Sequence, residues 1–274
     1  ENKKFEKGVE YFFNLFSKRK ELITLNRHNK NDKTDNHVIK PIFIIGLPRC
    51  GSTLIEKIIA SGSQYITIGE ETGIIHSVVK NLINQKQSLN LDIDQFQTKI
   101  VEICKQKGLV QKKSNYMFTD KSLENFFYID IIKEIFPQAK VINCRRNAIS
   151  SIMSTLKNNL FTLPWAHNLE HIFKYHDIYY QMIKNFEKTH PNFIYDLQYE
   201  KFVSDPENEA KKLMKFCGLP WDIKCLEFYK RRDLISKTAS NIQFRKAIYN
   251  DSINKYLPYK QFLSKYVNKY SWFN

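Results

Sequence analysis

The sequence predicts an α/β fold, a three-layer sandwich in which a central, mostly parallel sheet is flanked by helices. Three observations carry this. Ile42, Phe43, Ile44 and Ile45 form an unbroken run of β-branched and aromatic residues, the pattern of a strand buried on both faces. Leu54, Ile55, Ile58 and Ile59 then recur at helical spacing. The same order, short apolar strand, polar turn, amphipathic helix, returns at Phe118–Phe136 and again at Lys140–Asn158. Such alternation builds parallel sheets.

The chain has 274 residues, 42% hydrophobic and 14% aromatic, enough for one large domain with a substantial core. No apolar run reaches the ~20 residues of a membrane span, and residues 1–10 are polar and charged. The expectation is therefore a cytoplasmic protein without a secretory leader. A chain beginning without Met is expected to be processed or excised. The formal net charge of +15 favours anionic ligands. Lys and Asn are spread throughout, however, with no basic run interleaved with aromatics, so no nucleic-acid partner is expected. The five cysteines (Cys50, Cys104, Cys144, Cys217, Cys225) include no C-x-x-C pair, which argues against a metal site or a disulfide framework. Cys144 and Cys217 are expected in the core. Cys50 is either a small loop residue or a reactive thiol.

In chain order, Phe5, Val9, Phe12, Phe13 and Phe16 predict an amphipathic helix over Phe5–Leu25, followed by the polar loop Asn26–Asn36. Residues 1–37 form a helix and connector, and residues 38–274 the main domain. The strand at Ile42–Ile45 feeds the loop G-L-P-R-C-G-S-T, Gly46–Thr53, and a helix for which Gly62 is the expected C-cap. Strand, glycine loop and helix make a phosphate cradle, because loop N–H groups and the positive end of the helix converge on one anion. An ordinary strand–turn–helix is the plain alternative. The spacing is that of a P-loop, but Ser52 stands where a nucleoside-triphosphate site has lysine. Arg49 lies within the loop instead, and Ser52 and Thr53 supply hydroxyls. The set suits a phosphate bearing a less charged transferable group.

Tyr65–Ile68 is expected to be a short strand or extended loop delivering Gly69-Glu70-Glu71-Thr72 to the ligand-side crevice. One of the two carboxylates can serve as a base; two exposed acids at a helix start are the alternative. Helices are expected at Ile74–Leu91 and Ile93–Cys104, and an exposed basic stretch at Lys105–Ser114. Phe118–Lys121 reads as a strand ending in Lys121, either a site residue or a surface lysine. Ser122 is the expected cap of a helix at Leu123–Phe136. After Lys140–Cys144, Arg146 and the helical Ser154 can hold a second phosphate. Ile194–Tyr199 is a strand, and Ser204-Asp205-Pro206 opens a helix with Ala210, Leu213, Met214 and Phe216 as its stripe and Gly218 as its stop. Ser236–Tyr249, carrying Arg245 and Lys246, reads as a lid or an exposed basic loop, and Leu257–Phe273 as an aromatic helix or tail.

Taken together, PIFIIGLPRCGSTL, VINCRRNAISSIMS, LQYEKFVSDPENEAKKLMKFCGLPW and TASNIQFRKAIYNDSINKY resemble the motifs of the sulfotransferase family, over Pro41–Leu263. The nearest likeness within it is to bacterial members fused to tetratricopeptide repeats, whose connector Phe5–Leu25 would be. GEETGII is similar to a segment of protein-tyrosine sulfotransferases. The resemblance implies a P-loop-like fold and transfer of a sulfuryl group from 3′-phosphoadenosine 5′-phosphosulfate (PAPS) to a hydroxyl acceptor, leaving adenosine 3′,5′-bisphosphate (PAP), without a metal. It implies that Arg49, Cys50, Gly51, Ser52 and Thr53 form the 5′-phosphosulfate loop, with Arg146 and Ser154 on the 3′-phosphate. Tyr199 would lie near the adenine, and Arg245 with Lys246 would close over the cofactor. Glu71 is implied as base, with Glu70 the alternative, and Lys121 as the contact to the leaving phosphate. Cys50, Asn147-Ala148 and Ala247 depart from the usual residues. The acceptor expected is a tyrosyl or acidic peptide, a saccharide, or a small alcohol or phenol. A P-loop nucleotide kinase lacks its loop lysine here, and a non-catalytic polyanion-binding protein is the remaining rival.

Overall fold

The computed structural model describes residues 2–22, 24–26, 39–84, 90–110, 116–231, 248, 255–267 and 269–273. In order these form α1 (Asn2–Leu22), β1 (Thr24–Asn26), β2 (Lys40–Gly46), α2 (Ser52–Ala60), β3 (Thr67–Ile68), α3 (Ile74–Asn84), β4 (Asn90–Asp92) and α4 (Ile93–Gln106). Then come β5 (Met117–Asp120), α5 (Ile129–Ile135), β6 (Lys140–Arg145), α6 (Ala148–Lys157), α7 (Leu169–Thr189), β7 (Ile194–Gln198), α8 (Tyr199–Ser204), α9 (Pro206–Cys217) and α10 (Ser264–Val267). Five strands form one sheet in the order β3-β5-β2-β6-β7, and every adjacent pair is parallel. The expected α/β sandwich is therefore what forms.

Strand β2 shows why. Its side chains alternate between faces: Ile42 and Ile44 join Ile55, Ile58, Leu213 and Met214 on one side. Phe43 and Ile45 join Val78, Ile100, Ile132 and Phe173 on the other. Both faces need covering, so helices lie on both. Helix α1 packs Phe12 and Phe13 against the second core and sets Phe12 edge-on to Tyr175.

Several local expectations are corrected. Helix α1 ends at Leu22, and Thr24–Asn26 pairs in parallel with Asn90–Asp92, so Leu91 lies in a strand instead of a helix. Tertiary pairing overrides a weak helical pattern there. Helix α2 is capped by Ser61, whose N–H donates to the Ile58 carbonyl. Gly62 is not left-handed; an added Cβ there would stand 3.1 Å from Met214 Cε and 3.2 Å from Cys225 Sγ, so its size is what packing demands. Ser122 precedes a 3-10 turn, Leu123–Tyr128, and caps nothing with its hydroxyl, which instead accepts from the Gly73 N–H at 2.8 Å. In the stretch expected to be exposed, Leu109 and Val110 are buried, Leu109 N–H bonding back to the Cys104 carbonyl. Tyr199 begins α8 instead of ending β7.

Helix α7 has no counterpart among the expected elements. Asn168 caps it, accepting from the Glu170 and His171 N–H groups, and Ile172, Tyr175, His176, Tyr179, Met182, Ile183 and Phe186 bury its stripe. Tyr179 donates to Asn143 Oδ1 at 2.5 Å, and Asn143 Nδ2 donates to Asp196 Oδ1 at 2.7 Å. One buried amide thereby ties α7 to β6 and β7. The C-terminal aromatics close over the same helix, Tyr266 stacking on Phe173 at 3.8 Å between centroids.

His176 is wholly buried on α7 beside the Trp272 ring, and neither ring nitrogen has a partner among the described residues. Burial pushes its pKa down to about 3. The folded state thus refuses a proton that the unfolded chain accepts near pH 6.5. Stability from this residue is complete above that pH and lost as pH falls towards 3, by about 1.4 kcal/mol per unit. Denaturation at pH 7.5 and 5.0 is expected to show wild type losing about 2 kcal/mol more than His176→Phe over that interval.

Candidate active site

The site lies at the carboxyl ends of the parallel strands. The β2–β6 ladder ends with Gly46 against Cys144, and β6 runs one residue further, to Arg145. A Cβ on Gly46 would stand 2.5 Å from the Cys144 carbonyl oxygen, so only glycine lets the chain turn out of the sheet at this rung. The loop then passes through Arg49 at φ 69° and Gly51 at φ 95°, both left-handed, and enters α2 at Ser52. Gly51 supplies no side-chain cap, and its carbonyl accepts from the Leu54 N–H at 3.0 Å, so the positive end of α2 faces the loop. Ser52 and Thr53 are buried at that helix start.

The second strand–turn–helix reaches over and fastens this loop. Arg49 Nε donates to Ser154 Oγ at 3.1 Å. Arg146 Nη1 donates to the Arg49 carbonyl at 3.1 Å, and Ser151 Oγ to the Pro48 carbonyl at 3.0 Å. The Arg146 guanidinium lies 4.8 Å above the Tyr199 ring, and that ring covers Gly51, where a Cβ would stand 2.4 Å from Tyr199 Cδ2. Arg49, Gly51, Ser52, Thr53, Arg146, Ser154 and Tyr199, scattered over 150 positions in the chain, are thus one assembly. Cys50 is buried, as are all five cysteines. The Cys144 thiol donates to Cys50, which lowers the pKa of Cys50 and raises that of Cys144. Cys50 is an internal strut of the loop. Arg245 and Lys246 lie outside the described residues.

On the other flank of β2, strands β5 and β3 deliver the acids and the lysine. Lys121, directly after β5, is enclosed at 1% side-chain exposure, and its Nζ meets Glu71 Oε1 at 3.0 Å. Glu71 itself is 59% exposed. The pair is a sheltered ammonium with a carboxylate facing solvent. Lys121 N–H donates to the Glu70 carbonyl at 2.7 Å, and Glu70 adopts φ 52°. Thr72 Oγ1 donates to Asp120 Oδ2 at 2.6 Å. Burial, followed by repulsion from Glu71 and Asp120, raises the pKa of Glu124, a further carboxyl beside the pair.

Two residues absent from the sequence expectations join this flank. Glu56 and Lys57, in the middle of α2, are almost completely buried. Glu56 Oε1 accepts from Thr119 Oγ1 at 2.7 Å and from the Glu70 N–H at 3.1 Å, and Lys57 Nζ lies 4.0 Å from Glu70 Oε1. Burial raises the pKa of Glu56. The sequence does hold a signal: a charged dipeptide inside a helix otherwise apolar on nearly every side.

Fold and site together define an α/β protein with an anion-binding loop on one side of its central strand and an acid–lysine pair on the other. A family model described as "Sulfotransferase family" matches residues 41–223, and the chain belongs to that family. An uncharacterized protein of Aquifex aeolicus is 29% identical over 245 residues, covering 83% of this chain and 32% of that protein. Drosophila melanogaster protein-tyrosine sulfotransferase is 23% identical over 234 residues, covering 72% of this chain and 42% of that one. The chain therefore spans about a third to under half the length of these relatives. Among solved structures, the sulfotransferase domain of the Synechococcus PCC 7002 olefin synthase superposes with a TM-score of 0.58 at 21% identity, covering 85% of this chain and 91% of that one. The fold is shared. Among the described residues no cluster of His, Cys, Asp or Glu could hold a metal ion, and no helix is long and apolar enough to cross a membrane.

The contact between Tyr199 and Gly51 is open to a direct check. Gly73 is also left-handed, at φ 59°, but nothing lies within 4 Å of a Cβ there. Gly51→Ala is expected to destabilise the protein by at least about 1 kcal/mol more than Gly73→Ala in urea denaturation, because Gly51 adds the collision with Tyr199 and a φ further from the left-handed range alanine can adopt.

Proposed function

We propose that this chain catalyses sulfuryl transfer from PAPS to a hydroxyl acceptor. The observation that carries the reading is the enclosed Lys121 paired with the exposed Glu71, beside a loop whose cation is arginine. The cradle suits the nucleotide: a loop closed by Gly51 against Tyr199, a helix start without a side-chain cap, and two guanidinium groups fastened to it. Arg49, Gly51, Ser52, Thr53 and the backbone at Cys50 would hold the 5′-phosphosulfate, and Arg146 with Ser154 the 3′-phosphate. Tyr199 would border the adenine, and Arg245 and Lys246 would complete the enclosure. When bound, PAPS supplies an activated sulfuryl group on a phosphate leaving group.

The chain's own groups do the rest. Glu71 stands exposed, where an incoming hydroxyl can reach it, and takes the hydroxyl proton onto its carboxylate. Lys121 holds positive charge where little water screens it, and Arg49 does so from the loop. Fixed charge and positioning are what a loose, in-line transfer requires. Similarity to the fly protein-tyrosine sulfotransferase supports a tyrosyl peptide as the first acceptor to try, and the net charge of +15 supports acidic peptides and anionic saccharides next.

Two measurements test this. In calorimetry PAP is expected to bind, and Arg49→Ala and Arg146→Ala are each expected to weaken it at least tenfold, about 1.4 kcal/mol. With labelled PAPS and a panel of tyrosyl peptides, saccharides and phenols, Glu71→Ala is expected to lower turnover by about 100-fold or more, the usual scale of a general base. PAP affinity should stay within about threefold, and Glu70→Ala should lose less. A binding site that takes a triphosphate with magnesium in preference to PAP would overturn the reading.

A further inference from the structure

The loop carrying Glu70 and Glu71 is held unusually close to β5. A Cβ on Gly69 would stand 2.1 Å from the Thr119 carbonyl oxygen, so the two backbones nearly touch. Two consecutive N–H groups of the loop are then caught by one short chain of side chains. Gly69 N–H donates to Thr119 Oγ1 at 3.2 Å, Thr119 Oγ1 donates to Glu56 Oε1 at 2.7 Å, and Glu70 N–H donates to the same Oε1 at 3.1 Å. Glu70 is left-handed, a conformation a side chain larger than glycine's adopts only when held there. Its carbonyl is held as well, by the Lys121 N–H at 2.7 Å. Glu56 lies on α2, the helix whose first turn closes the anion loop, and its carboxylate is out of contact with solvent.

We propose that Glu56 is a positioning residue for sulfuryl transfer: through Thr119 and the Glu70 peptide it locks the acid loop onto β5 and so sets the Glu71 carboxylate on Lys121. This rests on the reading of Glu71 and Lys121 as the catalytic pair. Glu56 touches neither acceptor nor nucleotide in that reading. It transmits rigidity from the helix behind the anion loop to the residue that takes the proton, so binding and proton removal are built on one frame. A buried carboxylate is suited to this, because a single oxygen can accept from two donors of different elements at once.

The test compares Glu56→Gln, Glu56→Ala and Thr119→Val in the whole chain by hydrogen–deuterium exchange, PAP calorimetry and hydrolysis of labelled PAPS to PAP. The glutamine oxygen can keep both bonds, so Glu56→Gln is expected to match wild-type exchange within about twofold. Glu56→Ala is expected to speed exchange at least tenfold in 67–73 and leave β2 and β6 unchanged. It should slow PAPS hydrolysis at least tenfold with PAP affinity within threefold, and the glutamine variant should restore the rate. If the alanine variant does not fold, Thr119→Val frees both the Gly69 N–H and one Glu56 bond, and is expected to give the same local acceleration. Unchanged exchange in 67–73, or acceleration spread evenly over the sheet, would overturn the proposal. Failure of the wild-type chain to bind PAP would instead overturn the functional reading and leave the exchange result standing.

Discussion

Gly46 and Cys144 face each other at the last rung of the β2–β6 ladder, and β6 leaves the sheet one residue later, after Arg145 pairs with Gln198. Nothing but hydrogen fits between the Gly46 Cα and the Cys144 carbonyl. Because the two strands end within one residue of each other, their turns lie together, and Arg146, directly after β6, can bond to the loop that follows β2. The contacts of Arg146 with the Arg49 carbonyl and of Arg49 with Ser154 follow from that proximity. A register slip of one residue would turn Ile42 and Ile44 into the wrong core and break the loop's supports at once.

The opposite flank works by charge instead of shape. Glu56, Lys57, Glu70, Lys121 and Glu71 form one group in which the first, second and fourth are nearly free of solvent. Burying an isolated ion is costly, and pairing offsets that cost only where hydrogen bonds satisfy the group. Thr119 and the Glu70 peptide serve Glu56 Oε1, and Glu71 serves Lys121, while Glu56 Oε2 has no hydrogen-bond partner among the described residues. Such a cluster contributes little net stability, but it determines which side chain faces the crevice.

Much of this was legible in the sequence where the signal is local. The apolar run of β2, the glycine loop, the strand ending in Lys121 and the Arg146 turn all declare themselves within a few residues, and the family motifs join them. The misses have a common cause in long-range contact. Gly62 resembles a helix stop, yet it is small because Met214 and Cys225 press on it. Ser122 resembles a cap, yet its hydroxyl serves Gly73 from another segment. Glu56 and Lys57 stand out only as a charged dipeptide in an apolar helix, because their partners Thr119 and Glu70 come from other segments. Helix α7 was the exception: its cap Asn168 and its apolar stripe are local and visible, but its middle carries enough Tyr, His and Lys to blur the period.

The parallel order of the sheet has a price in time. Ile42 finds its partner Lys140 only about 100 residues later, and Phe43 meets Asp120 after more than 70. While the chain is being synthesised, β2 emerges well before its sheet partners β5 and β6 and waits without them. Parallel pairing of this range folds slowly, since the intervening loops must close before any contact rewards them. The newborn chain therefore has a period in which β2 is the segment most exposed to aggregation, and the segment a chaperone would have most reason to hold.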